Sequence, residues 1–467
     1  MTDQHRPARG VNRRQALGAA AAGMIAGALP MRAQAAPPAD QPDVIFIMAD
    51  DLGFADLSCT GSHHIKTPHI DSLRRDGIFL RQGYANSAVC SPSRTALLTG
   101  CYQQRFRLGL EEPVAGPDPK LGLPKDVPTI GTVFRAAGYH TALVGKWHLG
   151  DPPAHGPLSH GYDDFFGVVE GAADYFLHRS IEDGKINGIG LAQGNDPHTA
   201  NGYLTDLFGD EAVKAITAPR EKPLFLSLHF TAPHWPWEGR EDAAITPTLT
   251  NIRHTAGGNL AKYAEMVEIM DQNVGRVLDA LKSAGRDNAI VVFTSDNGGE
   301  RFSETWPFVG VKGELLEGGI RVPVLIKAPG RIPPGSSSEQ VAIGMDWLPT
   351  LFTLATGKVP AGTFDGMDLT PHLTTDAPPV PRTLFWRFKT SQQKAVRDGD
   401  WKYLLLGGKE HLFNLAQDEH ERADHKDEDP TRLAALKAKW AAWNATMLPY
   451  PRHSFSEGTK EHYVDRY

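Results

Sequence analysis

Three cysteines in 467 residues are too few for a disulfide framework, so a hydrophobic core has to hold this fold together. Basic residues are in deficit too: 48 Lys and Arg against 55 Asp and Glu leave a net charge of -7. Without a cationic excess or a basic cluster, the chain gains nothing from counterion release, so no nucleic-acid partner is expected. Long apolar runs are also missing. The weakly apolar stretch 16–30 falls short of the roughly 20 residues a bilayer requires, and it is diluted by Ala and Gly. No stable membrane anchor is expected in the mature protein.

That stretch has a different purpose. Arg6, Arg9, Arg13 and Arg14 precede it and Ala33-Gln34-Ala35 follows it, the layout of a secretory signal peptide. The pair Arg13-Arg14 with Leu17 is similar to a twin-arginine signal, whose passengers cross the membrane already folded. Residues 1–35 are therefore expected to be a cleaved signal peptide read by the twin-arginine export machinery, delivering a periplasmic or secreted protein. The mature chain keeps 43 basic against 54 acidic residues, a net charge of -11. Local cations would have to meet any anionic ligand.

The apolar runs that do occur are short. Asp43–Ala49 stops at Asp50-Asp51, Ala289–Thr294 stops just before Asp296-Asn297, and Leu224–Phe230 runs into Thr231-Ala232-Pro233-His234. Each has the pattern of a buried strand in a parallel or mixed sheet. Segments with helical spacing lie between them, at Ile70–Arg75, Ile130–Ala137, Leu204–Ile216 and Leu260–Leu281, which is α/β alternation. Ligands of open α/β sheets sit beyond the carboxyl ends of the strands, so three polar clusters at strand ends point to one site. After Pro371 the texture changes. A Pro-rich linker leads to Leu384–Phe388, Gln393–Arg397, a turn at Asp398-Gly399-Asp400 and Trp401–Leu406, an antiparallel sheet with one hairpin. An amphipathic helix, Arg432–Met447, can cover one of its faces. The expected division is 1–35 signal peptide, 36–375 catalytic domain and 376–467 C-terminal α+β subdomain.

Asp50-Asp51 and Asp296-Asn297 are the candidate metal ligands, hard oxygen donors that suit Ca²⁺ or Mg²⁺ better than Zn²⁺. Each pair alone also reads as a loop or turn. Cys90 precedes a helix-forming segment and admits two further readings, a thiolate favoured by the helix dipole or an inert buried cysteine. Lys146 and His148 are two residues apart, on the same side of an extended segment, where they can hold an anion and move a proton. His234 sits in the proline-bounded Pro233-His234-Trp235-Pro236, and Lys312 opens the run through Arg321-Val322-Pro323. His229 falls inside an apolar strand, where a structural role is expected.

Cys90-Ser91-Pro92-Ser93-Arg94 with its Leu98-Thr99-Gly100 tail, Gly145-Lys146-Trp147-His148-Leu149-Gly150 and the Pro233 and Lys312 segments together resemble the formylglycine-dependent type I sulfatases of the alkaline-phosphatase superfamily. Leu412-Phe413-Asn414-Leu415 with Asp418 and Glu421 is similar to a late segment of that family, so the resemblance spans roughly residues 42–420. It implies a large mixed, mostly parallel sheet between helices. It also implies that Cys90 is oxidised to formylglycine by a cytosolic formylglycine-generating enzyme before export. By resemblance, one divalent ion, Ca²⁺ with Mg²⁺ as the alternative, is held by Asp50, Asp51, Asp296, Asn297 and residue 90. Arg94 and Lys146 hold the hydrated aldehyde, and Lys312 with His234 assists departure of the alcohol. His148 takes the proton whose loss expels sulfate.

The expected substrate is a sulfated small molecule or saccharide, since Trp147, Trp235, Trp237 and Trp306 lie in or near the motif segments and aromatic faces stack on sugar rings. Core tryptophans are the alternative. Two other functions stay open on the residues: a phosphomonoester or phosphonate hydrolase of the same superfamily, and a secreted glycan-binding protein with a dead site. In one respect the chain departs from the family. Gly167–Ala172 offers no clear match to the polar substrate contact that some members carry there.

Overall fold

Val44–Ala49 is apolar at every position and buried along its whole length, so it can only be a central strand with a layer on each face. The computed structural model describes residues 41–452, apart from 116, 117, 119, 183, 184 and 251–256; the expected signal peptide lies outside them. Val44–Ala49 pairs in parallel with Leu224–His229 on one side and Ile290–Ser295 on the other, so the three strands read from sequence are neighbours. His140–Gly145 and Asp164–Val168 extend the parallel core. Beyond it lie short antiparallel strands, Leu325–Lys327 and Ile78–Leu80 at one side and Leu191–Gln193 at the other. Ser336–Ser338 and Asp196–Pro197 complete a ten-stranded sheet at its two edges.

Period-two alternation divides the core into two layers. Ile45, Ile47 and Ala49 face helices Leu204–Thr217 and Leu260–Ser283 through residues such as Phe208 and Met270. Val44, Phe46 and Met48 face the opposite layer, where Leu97, Phe134 and Leu351 come from helices Cys90–Thr99, Ile130–Ala136 and Trp347–Thr356. This is the expected mixed α/β sheet between helices. The four helices expected between the strands have ends within a residue or two of the observed ones, the scale on which helix ends fray, while the expected Arg432–Met447 is found as Pro430–Asn444. Among the described residues no helix is long and apolar enough to cross a membrane.

The small C-terminal sheet has four antiparallel strands, Thr383–Phe388, Gln393–Asp398, Trp401–Leu406 and Lys409–Asn414, where the sequence suggested the first three with one hairpin. The extra strand follows a Gly407-Gly408 turn in which both glycines have positive φ, a conformation suited to tight hairpins. Helix Pro430–Asn444 covers one face: Leu436 joins Val396, Tyr403 and Leu412, and the Trp440 indole donates to the Trp386 carbonyl at 2.9 Å. Lys402 fastens this sheet to the body of the fold. Its ammonium lies buried 2.9 Å from Glu317 and 2.8 Å from Glu421.

Candidate active site

Strand register assembles the site. Ala49 lies opposite Ser295, and His229 lies opposite both Met48 and Gly145. Asp50, Asp296 and Lys146, the residues that follow three of these strands, therefore leave the sheet along one edge. Gly145 has φ +111°, and a Cβ there would fall 1.8 Å from the His229 carbonyl oxygen, so only glycine allows Lys146 this exit. Asp51 (φ +64°) and His148 (φ +61°) hold left-handed conformations without being glycine, strain that surrounding structure must enforce.

Cys90 is the first residue of a ten-residue helix buried at every position and closed by Gly100 with φ +66°, a left-handed C-cap. Its thiol groups with Asp50 and His234, while Asp50, Asp51 and Asp296 form a second cluster; in each, the candidate ligand atoms lie within 4.8 Å of one another. Asn297 joins through its amide, 2.8 Å from Asp51. Arg94 reaches the cluster from one turn along the helix. Its Nε and terminal nitrogen lie 2.9 and 2.8 Å from Asp296, and it also donates to the Lys146 carbonyl at 3.1 Å. The Lys146 ammonium sits 2.5 Å from Asp50, and that of Lys312 sits 2.6 Å from Asp51.

This crowding sets the charges. Burial works to raise the Asp51 carboxyl, but Lys312, His234 and Lys146 outweigh it and hold the group well below the ordinary range. Asp296 is pushed up to about 6 by burial and by neighbouring Asp50. Burial, with Lys312 for His234 and Lys146 for His148, drives both imidazoles well below their usual value, so both are neutral at pH 7. Their tautomers follow from their partners, because a carbonyl only accepts. His148 donates from Nε2 to Val114 (2.9 Å), and its buried Nδ1 has no hydrogen-bond partner among the described residues. His234 donates from Nδ1 to the Trp235 carbonyl at 2.7 Å, leaving Nε2 3.6 Å from Asp51.

Residues 42–358 match the family model described as Sulfatase. Arylsulfatase J of Mus musculus is 30% identical over 471 residues, covering 88% of this chain and 77% of its own. N-acetylgalactosamine-6-sulfatase of Mus musculus is 30% identical over 403 residues, covering 81% and 74%. The crystal structure of Ps i-CgsB superposes with a TM-score of 0.78 at 30% identity, covering 90% of this chain and 97% of that one; it has also been solved in complex with k-i-k-neocarrahexaose. The chain belongs to the sulfatase family. It is thus a sulfatase, an enzyme that hydrolyses sulfate esters within the alkaline-phosphatase superfamily.

Oxygen donors in this sulfatase suit a hard cation. Asp50 Oδ1 and Asn297 Oδ1 are buried without hydrogen-bond partners among the described residues, acceptors that a divalent ion would satisfy. Two acidic residues of the site escaped sequence reading. Glu300 accepts from the Trp235 indole at 3.1 Å and lies 3.5 Å from the Lys312 ammonium; its directness after Gly299 was the available signal. Asp56 accepts from the backbone of Gly53 and Glu304 (2.7 Å each) and from the hydroxyls of Ser303 (2.7 Å) and Tyr263 (2.5 Å), stitching the two loops that carry Asp51 and Asn297. Little local marks it, since Tyr263, Ser303 and Glu304 are more than 200 residues away and only Gly53 is near in sequence. The tryptophans divide. Trp147 and Trp237 are core, the Trp235 ring lies 4.4 Å from that of His234, tilted by 36°, and Trp306 stands 60% exposed. His229 is buried as expected, 3.3 Å from the Lys146 carbonyl. All three cysteines are free.

Proposed function

We propose that this sulfatase releases inorganic sulfate from a sulfated saccharide, using formylglycine made from Cys90 and one divalent ion, Ca²⁺ in preference to Mg²⁺. The observation that carries this is the gathering of Cys90, three carboxylates, Asn297, two lysines and Arg94 into one buried cluster. Asp50, Asp51, Asp296 and Asn297 would hold the ion, which supplies a Lewis acid for charge on the sulfate oxygens. Converted to formylglycine, position 90 supplies a hydrated aldehyde, one hydroxyl to attack sulfur and the other to let sulfate leave without water attacking it.

The remaining chemistry belongs to side chains already in place. Lys146 and Lys312 present ammonium groups to the sulfate oxygens, preorganised by their carboxylate partners. Arg94, anchored on Asp296 and the Lys146 carbonyl, fixes the helix start against the carboxylates. His148 Nδ1 carries a lone pair and is the natural proton acceptor. His234 Nε2 is likewise unprotonated, so Lys312 is the donor best suited to the departing alcohol oxygen, with His234 orienting it. Aromatic Trp235 beside His234 supports a sugar substrate, as do the saccharide named in the Ps i-CgsB complex and the amino sugar named for the mouse relative. Export of the folded chain by a twin-arginine signal in residues 1–35 places formylglycine formation in the cytosol.

A sulfate-release screen on sulfated saccharides and aryl sulfates, with Ca²⁺ and Mg²⁺ exchanged, tests the proposal. Mass analysis of the Cys90 peptide from the native host accompanies it. Activity on aryl sulfates with none on any saccharide would remove the sugar; an unmodified thiol in active protein would remove formylglycine.

A further inference from the structure

We infer that a second cavity, built where the large sheet meets the C-terminal sheet, binds an anionic saccharide. It encloses about 550 Å³, within the ordinary range of ligand pockets. None of Cys90, Arg94, Lys146, His148, His234 or Lys312 lines it, and the inference does not rest on the substrate proposed for the catalytic site. Its wall combines Arg74, Arg81, Arg321 and Arg397 with the aromatic rings of Phe54 and Phe308.

Arg321 is the centre of the argument. The residue is 8% exposed, and its guanidinium is set before any ligand arrives, 4.8 Å from the Tyr84 ring centroid and 4.7 Å from that of Phe308. One terminal nitrogen is committed to Glu317 at 2.8 Å and to the Tyr84 hydroxyl. The Nε is buried with no hydrogen-bond partner among the described residues, a cost that a ligand oxygen would remove. Arg397 is fixed on the other face of the cluster by the Gly399 carbonyl (2.9 Å), the Tyr84 hydroxyl and Gln82.

Three carboxylates also line the cavity, and they choose the ligand class. Glu339 is paired with Arg81 at 3.2 Å, whereas Asp400 and Glu419 face the same space. A bare inorganic anion would leave these two without donors and be repelled by them. A saccharide bearing a carboxylate or sulfate gives its anionic group to the arginines and its hydroxyls to the carboxylates. Trp306, 60% exposed, adjoins lining residue Pro307, and its ring lies 4.8 Å from that of His420, beside lining residue Glu419. The exposed indole, next along the chain to the cavity wall, is a flat apolar face of the kind that receives the C–H face of a sugar ring.

Calorimetric titration of the full chain carrying Cys90→Ala, so that no probe is consumed, tests the site. The probes are hexagalacturonate, a chondroitin sulfate hexasaccharide, neutral maltohexaose and inorganic sulfate. Hexagalacturonate carries no sulfate, so its binding is independent of the catalytic preference. Both anionic hexasaccharides are expected to bind, and Trp306→Ala and Arg321→Lys are each expected to weaken hexagalacturonate by about tenfold or more, equivalent to about 1.4 kcal/mol. Trp306 is exposed, so Trp306→Ala keeps its thermal unfolding midpoint and decides the matter even if Arg321→Lys does not fold. Failure of hexagalacturonate to bind, equal binding by Trp306→Ala, or equally tight binding of maltohexaose or inorganic sulfate would overturn the inference.

Discussion

Replacing Glu112 by Gln should stabilise the protein at alkaline pH and leave it unchanged in acid. Glu112 is 1% exposed and accepts from the Lys389 backbone at 2.6 Å and the Tyr450 hydroxyl at 2.8 Å. Burial dominates over these donors and the nearby Arg387, pushing the carboxyl from 4.5 up to about 7. A carboxyl raised in the folded state is bound to its proton more tightly there than in the unfolded chain. Ionising it therefore destabilises the fold: nothing is lost below the unfolded value near 4.5, the loss grows as pH rises from there towards 7, and it is complete above 7. At about 1.4 kcal/mol per pH unit, the separation amounts to about 3 kcal/mol. The amide of Glu112→Gln cannot ionise, and it keeps a carbonyl for the Lys389 N–H and a donor for the Tyr450 oxygen. Denaturant unfolding of both proteins at pH 5 and pH 8.5 checks the claim. Closely matched midpoints at pH 5 and a higher midpoint for the variant at pH 8.5 are expected. Parallel stability curves, or a variant that gains in acid rather than in base, would refute the burial argument.

The other expectations concern the site and its support. Cys90→Ser should fold with an unchanged melting profile yet release no more than one sulfate per molecule, since an ester at that position has no second hydroxyl to expel it; a multiple-turnover sulfate assay decides. His148→Ala removes the orphaned Nδ1 base and should lower kcat by about 10²-fold or more with little effect on KM; equal losses in affinity would assign His148 to binding. Chelation should abolish activity and lower the unfolding temperature, because Asp50, Asp51 and Asp296 crowd together in the interior, with Ca²⁺ restoring both. Lys402→Met takes from buried Glu421 its ammonium partner, while Glu317 keeps Arg321, and should cost about 3–5 kcal/mol in denaturant unfolding; a neutral result would mean that the Glu421 carboxyl simply takes up a proton.

Much of the site was legible because its residues lie in short, local motifs. Lys146 and His148, or Cys90 and Arg94, are spaced by the geometry of a single segment, and an apolar run ending in two acids marks a strand end wherever it occurs. Glu300 and Asp56 were missed for the opposite reason. Their roles come from partners such as Lys312, Trp235 and Tyr263, and nothing in the residues beside them names those partners. The fourth strand of the small sheet, Lys409–Asn414, escaped because its polar residues weaken the alternation that would announce it.

By itself, the order of residues determined the strand cores, the helix that begins at Cys90, the chemistry available at each strand end and membership of a sulfatase-like pattern. These depend on side-chain period, capping and turn preference, which act over a few residues. Tertiary structure alone decided which strand ends became neighbours. It also decided that His148 and His234 expose opposite ring nitrogens, and that four arginines from separate segments wall one cavity. Those outcomes depend on sheet register and on carbonyls such as Val114 and Trp235, contacts that exist only once the chain has closed on itself.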